Sequence, residues 1–131
     1  MEYYFSKTLN VSCDEAFKLT NEALKSEGFG VISEINIHEK LKEKVGVDFK
    51  RYKTLGACNP PYSYKALQAE DKIGTMMPCN VLVIEQGPNK IEIAAVNPLA
   101  SMQAITNPAL GELALEVTNK LKKVIDNLKE G

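Results

Sequence analysis

The sequence predicts a single α+β domain, a sheet of about five strands with a long C-terminal helix packed across it. Three observations carry this. Strand-like and helical stretches follow in the order strand, helix, strand, helix, strand, helix, strand, strand, helix. Two of the strands are adjacent and flank Gly87-Pro88-Asn89, which makes them a hairpin. The last stretch places Leu110, Leu113, Ala114, Val117, Leu121, Val124, Ile125 and Leu128 on one apolar stripe at helical spacing. With 131 residues, 44% of them hydrophobic, the chain is the size of one domain, 1–131, with no linker or repeat. A chain of this length buries roughly two thirds of its unfolded surface and needs no disulfide to do so.

Glu2 to Leu9 is rich in β-forming residues, with Tyr3, Phe5 and Leu9 on one face. Ser12 precedes Glu15 by three positions, a capping box. The helix over 13–27 then puts Cys13, Ala16, Phe17, Thr20, Ala23 and Leu24 on its apolar face, and Gly28 closes it. Gly30 to Ile37 is the second strand, with Val31, Ile35 and Ile37 on one face. His38 to Val45 is a short helix carried by Leu41 and Val45 and ended by Gly46, with His38 exposed at its start. Arg51 to Cys58 is the third strand. Pro61 to Glu70 is a short helix whose inward residues are Tyr64 and Leu67, and Ile73 to Met77 is a loop. Val81-Leu82-Val83-Ile84 is apolar on both faces, as in a central strand. Lys90 to Val96 alternates and is broken by Asn97-Pro98. A loop with Met102 leads to Asn107-Pro108, an N-cap followed by proline at the first helical position, and the helix runs to about Lys129.

Composition excludes several functions. The net charge is −1 with Lys and Arg dispersed, so there is no electrostatic footprint for nucleic acid. The first residues show no basic start and apolar run, and no apolar run approaches the ~20 residues of a membrane span. Three cysteines, an odd number, fit free thiols in the cytoplasm. No glycine-rich phosphate loop, G-x-S-x-G or C-x-x-C occurs, and His38 is the sole histidine. The expectation is therefore no cofactor and no metal site. The sequence names no reaction, and whether the protein is an enzyme stays open.

The candidate site lies in Tyr52–Gln86. Cys58-Asn59-Pro60 ends one strand, and Pro78-Cys79-Asn80 opens another. Cys58 precedes a helix start, where the free N–H groups of Tyr62 and Ser63 can lower a thiol's pKa. The same residue also fits as a small apolar side chain where strand meets helix. Antiparallel pairing brings the two cysteines to one edge, with Cα atoms within about 10 Å and no disulfide. Asn59 and Asn80 then flank one polar mouth, or else simply tie two loops together. The candidate ligand-binding residues are Cys58, Asn59, Tyr62, Cys79 and Asn80. The favoured reading is a ligand- or partner-binding module. The alternatives are a thiol-dependent enzyme or redox sensor using Cys58, and a soft-metal protein drawing on Met76, Met77 and Met102, which no M-x-x-M or C-x-x-C spacing supports.

The pattern Y-K-x-L-G-A-C-N-P-P, then A-L, then I-G-x-M-M-P-C-N-V-x-V resembles the family called domain of unknown function 302. The match is specific in Tyr52–Val83 and extends more weakly from Phe5 to the C-terminal helix. The resemblance implies a compact α+β domain that pairs as a homodimer, and it implies no reaction. Apolar residues in the Ile73–Met77 and Pro98–Ile105 stretches give a second motive for a dimer.

Overall fold

The computed structural model describes residues 2–129. β1 (Tyr4–Leu9) is followed by α1 (Cys13–Ser26), β2 (Gly30–Asn36), α2 (Ile37–Val45), β3 (Tyr52–Cys58) and α3 (Pro60–Ala69). A 3₁₀ helix (Asp71–Met76), β4 (Cys79–Gly87), β5 (Lys90–Val96), α4 (Pro98–Ser101) and α5 (Pro108–Asp126) complete the chain. The strands form one sheet in the order β1-β5-β4-β3-β2, antiparallel throughout. This is the α+β arrangement the sequence predicts, with β4 at its centre. Among the described residues, no helix is long and apolar enough to cross a membrane.

Local chemistry sets the helix ends. Ser12 Oγ accepts from the Glu15 N–H at 3.1 Å. At the other end of α1, Gly28 takes φ +86°. Its N–H reaches the Lys25 carbonyl and that of Phe29 reaches Leu24, which satisfies the last carbonyls of the helix. Asn107 Oδ1 accepts from the Ala109 N–H and caps α5. The far end of α5 is closed by a residue no local pattern points to. Lys7 of β1 donates from Nζ to the Asp126 and Leu128 carbonyls, so the helix stops at Asp126, short of Lys129.

Register assigns the two faces of the sheet. Leu55 pairs with Val81, Val81 with Ala95, and Ala95 with Phe5, so these side chains share one face. Val83, Ile93, Ile91 and Leu9 extend it, and α1 and α5 cover it with Ala16, Leu24, Leu121, Val124 and Ile125. Leu121 is fully buried, as its place on the apolar stripe requires. The opposite face carries Tyr4, Tyr52, Asn80, Leu82, Ile84, Ala94 and Val96 around a groove of about 390 Å³. Neither α1 nor α5 lies on that side.

Six local expectations are corrected. A bulge between Val31 and Ser33 shifts the register of β2. It moves Ile35 to the face opposite Val31, where it is 43% exposed. Tyr64 and Leu67 point to solvent, at 66% and 43% exposure, because α3 turns its Tyr62/Ser63/Ala66 face inward. Residues 71–76 are a 3₁₀ helix that buries Ile73 completely, and residues 98–101 are helical with Pro98 buried. His38 is half-buried, and its Nδ1 accepts from the Tyr52 N–H at 3.0 Å, joining α2 to β3. Tyr3 lies outside β1 and is exposed.

Candidate functional site

β3 and β4 set the site by their register. Ala57 is opposite Cys79, so Cys58 lies one residue along the neighbouring strand. That offset corresponds to a Cα separation of about 6 Å. Both thiols are free. The antiparallel relation and the proximity expected of the two cysteines are both present.

The two thiols face different surroundings. Cys79 lies on the helix-covered face, where burial, with the neighbouring Cys58 as a smaller cause, pushes its pKa up to about 11. It is therefore a protonated thiol at neutral pH. Cys58 Sγ sits 3.3 Å from Ser63 Oγ. The Ser63 N–H, expected to point free toward that sulfur, is instead bonded to the Asn59 carbonyl as part of α3. The only histidine is bound at Tyr52, six residues back along β3 and thus about 20 Å away. It cannot serve Cys58 as a base.

The two asparagines are separated. Asn59 is buried and its amide donates to the Glu27 carbonyl at 3.1 Å, tying the end of α1 to the start of α3. Its Nδ2 also lies 3.2 Å from where a Cβ on Gly28 would stand, and with the positive φ of Gly28 this favours glycine at the corner. Asn80, one residue past Cys79, points to the opposite side of the sheet and is exposed. The expected polar mouth flanked by both amides does not form.

The structure places two neighbouring spaces around Cys79, which share a wall. An inner cavity of about 50 Å³ lies under α3, between α5 and the ends of β3 and β4. Phe29, Ala57, Ala66, Leu113, Ala114 and Val117 make most of its wall, and Asn59, Tyr62, Ser63 and Cys79 supply its few polar atoms. An outer cleft of about 290 Å³ is lined by Thr75, Met76, Asn80, Val96 and Ser101. Met77, Pro78, Cys79, Pro98 and Met102 line both. Of the five candidate residues, Asn59, Tyr62 and Cys79 reach the inner cavity, Asn80 and Cys79 reach the outer cleft, and Cys58 lines neither.

α3 roofs the inner cavity without burying any residue of its own. The Glu116 carboxylate of α5, beside the Tyr62 hydroxyl, raises the phenol's pKa. A polar tie holds α3 to the start of α5. Asn107 Nδ2 donates to the Ala69 carbonyl at 2.9 Å. In the sequence Pro98 reads only as the end of β5, and Leu113 and Val117 only as core, because their place beside Cys79 depends on how α5 crosses the sheet. Among the described residues, no cluster of three or more His, Cys, Asp or Glu could hold a metal.

A five-stranded antiparallel sheet covered on one face by two helices, with a small apolar cavity at one end, defines a compact α+β domain. The chain belongs to the family described as Domain of unknown function DUF302, whose model matches residues 5–128. It is similar to a solved protein of that family, the uncharacterized conserved protein DUF302 from Bacillus stearothermophilus. The identity is 27% and the TM-score 0.89, over 98% of this chain and 100% of that one. No curated protein matches it.

Proposed function

We propose that this protein is a homodimeric, non-catalytic cytoplasmic module that binds a small molecule beside Cys79. The observation that carries the reading is the apolar cavity behind Cys79 and its shared wall with the outer cleft. Apolar lining with a few convergent polar groups is the usual make-up of a small-molecule site. A cavity whose roof helix buries nothing of its own is also a poor choice for pure stability, since empty apolar space costs packing energy. Binding there is expected to raise the melting temperature by mass action. A thermal-shift screen of small molecules tests it. Hits should lose their effect in Ala66→Leu, which fills the cavity. Hits indifferent to that change would place binding elsewhere.

The homodimer reading rests on the second face of the sheet. Leu82 and Ile84 make β4 apolar there too, although α1 and α5 lie on the other side. Ile73, once a motive for pairing, is buried within its own chain. Five strands spaced about 4.8 Å, six to nine residues long, span roughly 500–600 Å² before side-chain relief, approaching the ~800 Å² per partner of a stable interface. A second copy stacked on this face, with Asn80 left at its end where the face meets the outer cleft, gives an isologous pair. Sedimentation across micromolar concentrations should show twice the 14.5 kDa mass of the chain. A monomer throughout would remove the dimer. Three free thiols are consistent with a reducing compartment.

A further inference from the structure

We infer that the cavity and cleft together take a neutral amphiphile, with an uncharged hydroxyl or amide head at Asn80 and a short apolar tail passing Cys79 into the inner cavity. This rests on the ligand-binding reading above and specifies its ligand class. The division of chemistry between the two spaces motivates it. The inner cavity presents mostly aliphatic and aromatic carbon, with polar atoms only from Asn59, Tyr62, Ser63 and Cys79. Asn59 Nδ2 donates to the Glu27 carbonyl and Ser63 Oγ lies 3.3 Å from Cys58 Sγ, so two of these already have partners of their own. A polar group entering there would find few partners in exchange for water, which disfavours it.

The outer cleft differs. Asn80 is exposed at its floor and offers both a donor and an acceptor. The hydroxyls of Thr75 and Ser101 donate to the Lys72 and Pro98 carbonyls, so each turns an acceptor oxygen outward. This set suits a group that both donates and accepts. Among the described residues, no charged side chain lines either space. An ionised head would lose hydration with no countercharge to replace it. Met77 and Met102 stand on the shared wall, and their unbranched side chains can turn aside to admit a tail.

The test titrates the ¹⁵N-labelled protein with n-alkanols from butanol to octanol, and with hexanoate and hexylammonium, reading amide shifts by NMR. Alkanol affinity should rise about fourfold per methylene, the factor set by burying a CH₂, and then level off when the cavity is full. Hexanoate and hexylammonium should bind at least tenfold more weakly than hexanol. Ala66→Leu, at a half-exposed roof position, should weaken the alkanols and bring the plateau to a shorter chain. Asn80→Ala, at an exposed position, should weaken every alkanol by one common factor. If hexanoate or hexylammonium binds as well as hexanol at the same residues, the neutral-head inference is wrong and the ligand site stands. If none of the probes shifts the amides around Ala66 and Asn80, both fall together.

Discussion

Gly56→Ala should destabilise the protein, although replacing a strand glycine ordinarily does the reverse. Gly56 is a buried residue of β3, opposite Asn80 of β4. A Cβ there would stand 2.6 Å from Pro78 Cγ and would also collide with Ser33 Oγ. The serine hydroxyl can rotate away. The proline ring cannot, and Pro78 belongs to the wall shared by the cavity and the cleft. Overpacking of this kind costs about 1–3 kcal/mol. Alanine returns roughly 0.5–1 kcal/mol by restricting the unfolded chain. The net loss is therefore about 1–2 kcal/mol. Gly30→Ala is the internal control: it is also a strand glycine, but nothing lies within 4 Å of where its Cβ would stand, and its φ is not positive. It should be neutral or stabilise by up to about 1 kcal/mol. Urea unfolding of both variants, with m unchanged, reads the difference directly. Gly56→Ala at or above parental stability would refute the close packing of β3 under Pro78.

Leu121→Ala should cost about 2–5 kcal/mol in the same assay, because its side chain is fully buried between α5 and the sheet; parental stability would mean that α5 does not pack as described. Asn59→Ala should cost about 1–3 kcal/mol by leaving the Glu27 carbonyl unpaired at the end of α1, and a cost near zero would show that this tie contributes nothing. The Cys79 pKa lies near 11 folded against 9.0 as the reference. The folded state then holds its proton longer, so stability present below pH 9 is lost between pH 9 and 11, by about 2–3 kcal/mol. Cys79→Ala should show a shallower alkaline decline than the parent, and equal slopes would contradict the burial. Cys58 should alkylate faster than Cys79 when each is followed in the Cys79→Ser or Cys58→Ser background, since burial suppresses the Cys79 thiolate; equal rates would remove the distinction between them.

The element order, the hairpin and the stripe on α5 were legible because each rests on local periodicity or a cap. Ser12, Gly28 and Asn107 act where their local sequence places them. The misplaced residues are those whose orientation is set by partners far along the chain. Ile35 changes face through a one-residue bulge that strict alternation cannot contain. Tyr64 and Leu67 are apolar at suitable spacing, yet α3 is tied to Asn107, which lies far along the chain. For the site, the cysteine proximity followed from antiparallel pairing alone. The asparagine mouth failed because Asn59 lies beyond the end of β3 while Asn80 lies within β4, facing away from the helices. Their shared Asn-Pro-rich context conceals that difference. The cavity wall from Pro98 to Val117 comes from another third of the chain and has no local signature.

The inner cavity is the most direct point of test. Crystals pressurised with xenon report whether an apolar space exists and admits a guest, without any choice of ligand chemistry. The structure predicts a xenon atom between Ala66, Leu113 and Cys79 in the parent and none there in Ala66→Leu. A parent structure with those side chains collapsed together, or with hydrogen-bonded water filling the space and excluding xenon, would contradict the account.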